Sequence, residues 1–232
     1  VDSNQFYNFQ KIDPETGKIE KTTSLVGAAY NSAFMMSENN AYLANTIEPD
    51  YAVLLVDFID QNPTVMPDDL RNRIHLINSY DISKYSKQTE ISNAIYEYEY
   101  SLEETARNNW ENNLIQALKN YVQANAKKIS RTQIVKIGLS DLTLEATGEV
   151  PGSVLNQYAL DEKDGYLRVA STIEVNWWFM WWNNVNNDSF SQVTILDNGL
   201  NTVGQIDNLG LGERIYAVRF VGENAYVVTF KQ

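Results

Sequence analysis

Apolar residues recur two positions apart in three short segments of the chain, each of which has a polar stretch in its middle. The segments are residues 32–45, 157–170 and 217–230. Alignment on the tyrosines Tyr42, Tyr166 and Tyr226 places an apolar or aromatic residue six and eight positions earlier in every segment. Such spacing marks one face of a strand, and the polar stretches are typical of turns. The pattern predicts three related hairpins.

A second hairpin pattern alternates with the first and places two apolar residues seven positions apart across a turn. The pairs are Ile12 with Ile19, Ile137 with Leu144, and Leu196 with Val203. Two antiparallel hairpins form a four-stranded sheet, and repeated sheets of this kind stack radially to cover their faces. We predict a mainly β protein with a helical insertion: a partial β-propeller of two full four-stranded blades plus two half blades. A β-sandwich of meander hairpins is the alternative, but it does not explain the repeated spacings.

The hydrophobic period becomes helical between residues 48 and 130. Pro67, followed by two aspartates, predicts a helix start, and Ser101 begins a capping-box pattern that predicts another. We assign 1–47 to a half blade and the first hairpin of a full blade, and 48–130 to the insertion. Residues 131–232 hold the rest of that blade, a second blade and a terminal half blade. The insertion would pack on its blade or the propeller rim, or act as a lid or docking platform.

Charge and residue inventory narrow the chemistry. Lys plus Arg is 18 and Asp plus Glu is 30, which gives a formal net charge of −12. An acidic surface disfavours nucleic acid and anionic membranes as partners. The chain has no Cys and a single His, His75, so thiolate chemistry, disulfides and Ser-His-Asp catalysis are not expected. We predict no cofactor, no metal site and no catalytic residue.

Two segments resemble a known family. They are VPGSVLNQYALDEKDGYLRVA at 150–170 and GERIYAVRFVGENAYVVTFKQ at 212–232, with a further match at MPDDLR, 66–71. The chain is similar to archaeal and bacterial secreted proteins with a C-terminal β-propeller domain distantly related to WD-repeat propellers. The resemblance implies an extracellular or cell-surface location and further blades after residue 232. It implies no reaction.

The most unusual stretch of the sequence is rich in tryptophan and lies between two predicted strands. Its candidate ligand-binding or interface residues are Trp177, Trp178, Trp181, Trp182, Asn183, Asn184 and Asp188. It could be a strand extended into the helical insertion, or an apolar surface covered by missing blades or an oligomer partner. It could also be a stacking platform for a sugar, with the Asn and Asp side chains as hydrogen-bonding groups. The acidic stretches 13–17 and 161–165 could hold a hard cation, but we predict that both are ordinary turns.

The sequence favours a non-enzymatic binding module for protein or glycan, with the aromatic segment as its site. The alternatives are a glycosidase or lyase that uses paired carboxylates at the propeller centre, and a structural component of a cell-surface layer. The half blades at the two ends are complementary. They could pair within one chain, or between two chains to give a six-bladed ring.

Overall fold

The computed structural model describes residues 4–28, 31–177, 185–186 and 188–231. The described residues form two compact units. A sheet unit takes them from Val1–Glu48, Ser130–Glu174 and Asp188–Gln232. A helical unit takes them from Pro49–Ile129 and Val175–Asn187.

The sheet unit contains twelve strands in four antiparallel groups. The N-terminal hairpin is β1 (Asn4–Ile12) and β2 (Ile19–Ala28). The first sheet has the order β3 (Ser32–Met36), β4 (Asn40–Ile47), β5 (Arg131–Gly138), β6 (Leu144–Pro151). After a 3₁₀ turn (Gln157–Ala159) the chain forms β7 (Leu160–Lys163) and β8 (Tyr166–Ile173). Two short strands, β9 (Asn176–Trp177) and β10 (Val185–Asn186), follow β8 and belong to the helical unit. The sheet unit continues with β11 (Phe190–Leu196), β12 (Thr202–Leu209), β13 (Arg214–Val221) and β14 (Asn224–Phe230). The second sheet has the order β7-β8-β11-β12, and β13-β14 form the C-terminal hairpin.

The first hairpin of each repeat has the same register. Residues nine apart face each other in all three: Phe34 with Leu43, Leu160 with Val169, and Val218 with Val227. In this register Tyr42 and Tyr226 are equivalent, but Tyr166 lies two positions before their equivalent, Arg168. The tyrosine alignment is therefore wrong by two residues in the second hairpin. A shift of two leaves every side chain on the same face of its strand, so the predicted faces are unaffected.

The sheets and hairpins pack face to face in chain order. One buried cluster joins the first sheet, the second sheet and the C-terminal hairpin through Tyr42, Ala44, Ile134, Leu167, Val169, Val193, Ile215 and Val218. Another joins the opposite face of the first sheet to the N-terminal hairpin through Leu43, Val135, Ile137, Tyr7, Phe9 and Leu25. The two inner strands of each four-stranded sheet are mostly buried on both faces, because a neighbour covers each face. The described residues show no closed ring, and the number of blades stays a prediction.

The helical unit contains α1 (Tyr51–Gln61), α2 (Asp68–Ser79), α3 (Lys84–Ser101) and α4 (Glu104–Ile129). The Asp50 carboxylate begins α1 by accepting hydrogen bonds from the backbone N–H groups of Ala52 and Val53. The apolar stripes meet in a core whose fully buried members include Leu55, Phe58, Ile74, Ile91, Ile95, Leu114 and Leu118. None of the described helices combines the length and the apolarity needed to cross a bilayer.

Two helix starts differ from the sequence prediction. Pro67 is the N-cap of α2 and lies before its first turn. Ser101 does not cap α4, because it is the last residue of α3 and its hydroxyl donates to the Tyr98 carbonyl oxygen. Leu102 has extended backbone angles, so α3 ends there and α4 begins as a separate helix. The capping pattern marked the boundary correctly but assigned Ser101 to the wrong helix.

The start and end of the aromatic segment belong to the helical unit. β9 (Asn176–Trp177) pairs with β10 (Val185–Asn186), and β10 contacts α4. The segment connects β8 to β11, the second and third strands of the second sheet. The helices connect β4 to β5, the second and third strands of the first sheet. Both excursions therefore leave their sheets at the same position of the repeat.

Candidate binding site

A pocket of about 530 Å³ lies where three edge strands meet. These strands are β3, β7 and β13. They are the first strands of the first sheet, the second sheet and the C-terminal hairpin. The 3₁₀ turn before β7 completes the wall. The lining residues are Phe34, Met35, Met36, Ser37, Gln157, Tyr158, Leu160, Asp161, Glu162, Arg219 and Phe220. The stacking of successive sheets creates this pocket, because it brings equivalent strands of the repeat side by side.

The acidic wall of the pocket comes from a strand that extends further than the sequence predicts. The turn is only two residues long, and both have positive φ: Asp164 at 52° and Gly165 at 81°. β7 therefore continues to Lys163, and the prediction of a turn over 161–165 is wrong for its first three residues. Strand geometry then directs Asp161 and Glu162 to opposite faces of the sheet.

Glu162 is held by hydrogen bonds from the first sheet. Its carboxylate oxygens accept from Asn40 Nδ2 at 3.0 and 3.1 Å and from the Ser37 hydroxyl. Burial alone would raise the pKa of Glu162, but donors that include Ser37, Asn40 and Tyr42, with the positive charge of Lys136, together lower it. Burial, followed by the nearby Glu162 charge, raises the pKa of Tyr42. Glu162 is therefore a fixed, ionised acceptor beside a protonated tyrosine.

Asp161 is paired on the other face of β7. Its Oδ2 accepts from Arg168 Nε at 2.9 Å, and the Arg168 guanidinium also donates to the Gly222 carbonyl oxygen at 2.9 Å. The same guanidinium lies over the ring of Phe220, 4.9 Å from its centroid. Arg168 thus neutralises Asp161 and joins the second sheet to the C-terminal hairpin.

Arg219 is the cation of the pocket that has no acidic partner among the described residues. Its guanidinium lies 3.7 Å from the centroid of the Tyr158 ring, in a cation–π contact. Its other contact is a long one, 3.4 Å from Nη1 to the Val218 carbonyl oxygen. The remaining N–H groups of Arg219 can receive an acceptor from a ligand.

The residues predicted from sequence occupy another part of the chain. Trp177 lies in β9, and Asp188 is exposed just before β11. Trp178, Trp181, Trp182, Asn183 and Asn184 lie outside the described residues, so the aromatic site stays a prediction. Sequence reasoning did not identify the pocket. The available signal was the repeat itself, since Phe34 and Leu160 lie at matching positions of the first strand once the register is corrected.

Acidic turns serve local structure in the described part of the chain. Asp13 accepts from the Glu15 backbone N–H at 2.9 Å and from the Thr16 hydroxyl, and the hydrogen bond from Thr16 is the main cause that lowers the pKa of Asp13. Among the described residues, no three acidic or histidine side chains are grouped so as to hold a metal ion.

The stacked antiparallel sheets and the pocket at their first strands define a repeat protein of the propeller class. The chain matches the family described as beta propeller domain over residues 2–232, and it belongs to that family. It is 38% identical over 226 residues to an uncharacterised protein of Archaeoglobus fulgidus, which covers 97% of this chain and 34% of the relative. It is 34% identical over 237 aligned positions to an uncharacterised protein of Methanocaldococcus jannaschii, covering 100% of this chain and 36% of the relative.

This chain thus spans about a third of the length of the curated relatives that it matches. No solved structure matches it. The propeller part of the predicted resemblance is confirmed. Secretion and a C-terminal position of the domain stay predictions.

Glu162 should make folding stability depend on pH. Its pKa is lower in the folded chain than in the unfolded chain, so its contribution is fully present above the ordinary glutamate pKa of about 4.3. That contribution is lost as the pH falls through the lower, folded pKa. We expect the free energy of unfolding of Glu162→Gln to fall less steeply than that of wild type below about pH 5. Urea unfolding at a series of pH values measures this, with Glu15→Gln in the exposed first turn as the control. Parallel pH profiles for wild type and Glu162→Gln would contradict the assignment.

Proposed function

We propose that this chain is a non-enzymatic binding module, and that its ligand occupies the pocket formed by β3, β7 and β13. The observation that carries the proposal is Arg219, which has no acidic partner in the described part of the chain and lies beside exposed apolar side chains in a cavity of about 530 Å³. Pockets of this size that combine apolar walls with convergent polar groups are typical small-molecule sites.

The electrostatics of the pocket support binding over hydrolysis. A glycosidase needs one carboxylic acid that keeps its proton and a second carboxylate across the bond to be cleaved. Asp161 and Glu162 are consecutive residues of one strand, and each already has its own partners. The lowered pKa of Glu162 is opposite to what a general acid requires.

A small-molecule and glycan screen tests the proposal, with thermal stabilisation as the first readout. Tyr158→Ala removes an aromatic wall of the pocket, where the side chain is 50% exposed. Tyr166→Ala is the matched control, because Tyr166 is 46% exposed at the start of β8 and does not line the pocket. We expect ligands that stabilise wild type to stabilise Tyr166→Ala and to lose at least tenfold in affinity, about 1.4 kcal/mol, for Tyr158→Ala. Equal binding by both variants, or turnover of a bound compound, would contradict the proposal.

The aromatic segment is a second candidate, for a protein or glycan partner. Its support is compositional: four tryptophans and a phenylalanine within 177–182, followed by amide side chains. Aromatic faces stack on sugar rings, and the amides would add hydrogen bonds. A glycan array and a pull-down with a defined partner, repeated with Trp181→Ala/Trp182→Ala, test it. Unchanged binding by the double variant would remove this candidate.

We also propose an extracellular or cell-surface location, which rests on the family resemblance. Accessibility of the native protein to protease added to intact cells tests it, and protection until lysis would count against it.

We further propose that this chain self-associates, either as a dimer or as part of a surface layer. In both four-stranded sheets the second strand pairs with the third. By their place in the repeat, β14 corresponds to a second strand and β1 to a third strand. Both terminal hairpins expose apolar side chains, among them Phe6, Val26, Tyr226 and Val228. Pairing of β14 with β1 of a second copy would cover them. Light scattering should then show a dimer, or a larger lattice-like assembly in the surface-layer version. A strictly monomeric species would exclude both.

A further inference from the structure

We propose that the pocket selects a small organic carboxylate with an apolar body, and that Arg219 binds the carboxylate. This inference rests on the proposed binding function and adds the chemical class of the ligand. It depends on Arg219, on the way its guanidinium is held, and on the distribution of charge around the cavity.

Arg219 differs from every other arginine of the chain in the partners available to it. Five arginines form ion pairs with Asp or Glu: Arg71, Arg73, Arg131, Arg168 and Arg214. Arg107 also forms no ion pair among the described residues and lies 5.5 Å from the centroid of the Tyr100 ring, but it donates to two backbone carbonyl oxygens at 3.0 Å. Arg219 forms no ion pair within the described part of the chain, although acidic residues outnumber basic ones by 30 to 18. An anion from solution would complete its hydrogen bonding.

Stacking on Tyr158 prepares the guanidinium for a planar anion. The ring contact, 3.7 Å from the centroid, occupies one face of the guanidinium and leaves N–H groups at its edge. The planar fork of an arginine matches a carboxylate with two parallel hydrogen bonds. Tyr158 is itself positioned, because its backbone N–H donates to Asn156 Oδ1 at 2.9 Å. Less side-chain freedom is therefore lost when the anion binds.

The other charges of the pocket favour a singly charged ligand bound at Arg219. Asp161 is neutralised by Arg168, whereas Glu162 stays ionised within its hydrogen bonds. A dianion such as a phosphate monoester would meet more repulsion from Glu162 while gaining only one free cation. A monoanionic carboxylate balances the charge of Arg219 and leaves only the charge of Glu162 uncompensated, whereas a dianion would add a second uncompensated negative charge.

The walls beside Arg219 suit an apolar body. Phe34, Met36, Leu160 and Phe220 all line the cavity, and Met36 and Phe34 are more than a third exposed. Methionine and aromatic side chains adapt to flat or irregular apolar groups. A ligand of this class would cover apolar surface that is otherwise in contact with water.

Matched probes separate charge from shape. Titration calorimetry would compare 3-phenylpropionate with the isosteric neutral 3-phenylpropionamide, on wild type, Arg219→Gln and Arg219→Lys. Arg73→Gln is the control, since Arg73 is an exposed arginine of α2 in an ion pair with Glu97. The carboxylate gains a charge-assisted hydrogen bond from Arg219 that the neutral amide lacks, so wild type should prefer the carboxylate by roughly tenfold. Arg219→Gln should lose that preference, Arg219→Lys should keep part of it, and Arg73→Gln should match wild type.

Each contrary outcome has a defined meaning. A wild type that binds the amide as tightly as the carboxylate would overturn the anion inference and leave the binding function standing. The same holds if neither probe binds at millimolar concentration while a neutral screening ligand binds in a Tyr158-dependent manner. Preference for the carboxylate that survives in Arg219→Gln would place the anion elsewhere and would also overturn the inference. If no ligand of any charge binds in a Tyr158-dependent manner, the proposed function itself fails.

Discussion

Replacement of Gly152 by alanine should destabilise the sheet unit by about 3 kcal/mol, the sum of backbone strain and a steric clash. Gly152 lies between β6 and β7, where the chain passes from the first sheet to the second, and its φ is +84°. A Cβ there would lie 2.6 Å from the Thr172 carbonyl oxygen and 2.8 Å from its carbon. Both are backbone atoms of β8, so no side-chain rotation can relieve the contact. The two sheets would have to move apart.

Gly17→Ala is the control that isolates the clash. Gly17 also has a positive φ, +68°, but a Cβ there meets nothing within 4 Å. We expect it to cost about 1 kcal/mol, the strain of a left-handed non-glycine residue alone. Urea unfolding of both variants, followed by a β-sheet signal, gives the difference. An equal loss of unfolding free energy in the two variants would show that Gly152 is not packed against the β8 backbone. The connection from β6 to β7 would then differ from the one described.

Phe58→Ala should destabilise the helical unit by about 4 kcal/mol, in the range measured for large-to-small changes at buried aromatics. Phe58 is fully buried in α1, and its ring meets the ring of Tyr121 in α4 edge to face, with centroids 5.5 Å apart. Tyr121 is fixed by a hydrogen bond to Asp57 at 2.6 Å, so it cannot readily fill the cavity. The helical circular dichroism signal during urea unfolding measures the loss.

Val53→Ala provides the comparison in the same helix. Val53 is 53% exposed, so its truncation should change the free energy of unfolding by no more than about 0.5 kcal/mol. A Phe58→Ala variant as stable as Val53→Ala would mean that α1 and α4 do not share a core.

The strand pattern was predictable because alternation is a local property. Phe34, Leu43, Val218 and Val227 repeat with the same spacing, and each pair forms as that spacing predicts. The two-residue error at Tyr166 arose because a shift of two preserves the face of every side chain, so the apolar pattern cannot detect it. The register is fixed by the backbone pairing of β7 with β8, in which Leu160 lies opposite Val169 and Asp161 opposite Arg168.

Turn and cap assignments failed where one residue type fits two local structures. Asp161 and Glu162 are polar residues of a kind common in turns. The turn itself needs only Asp164 and Gly165, both with positive φ, so Asp161 and Glu162 remain in the strand. Ser101 fits the sequence pattern of an N-cap, but its hydroxyl donates a hydrogen bond to the Tyr98 carbonyl oxygen in the last turn of the preceding helix. Such choices depend on the neighbouring backbone, which the sequence pattern does not contain.

The pocket was not predictable from local pattern, because its walls come from distant parts of the chain. Phe34, Tyr158 and Arg219 are brought together only by the stacking of successive sheets. Arg219 lacks an acidic partner among the described residues because the fold places the nearby carboxylates beside other groups, and the sequence pattern does not show that placement. The sequence instead drew attention to the tryptophans near residue 180, where composition is unusual, and their role stays a prediction.

Successive hairpin units stack face to face, which brings β7 of the second sheet against the start of β4 in the first sheet. A double-mutant cycle between Asn40 and Glu162 tests it most directly, because these residues belong to the first and the second sheet and are hydrogen-bonded at 3.0 and 3.1 Å. The unfolding free energies of Asn40→Ala, Glu162→Ala and the double variant give their coupling. We predict a coupling of about 1 kcal/mol or more; effects that add to within about 0.3 kcal/mol would contradict the stacking from which the pocket is built.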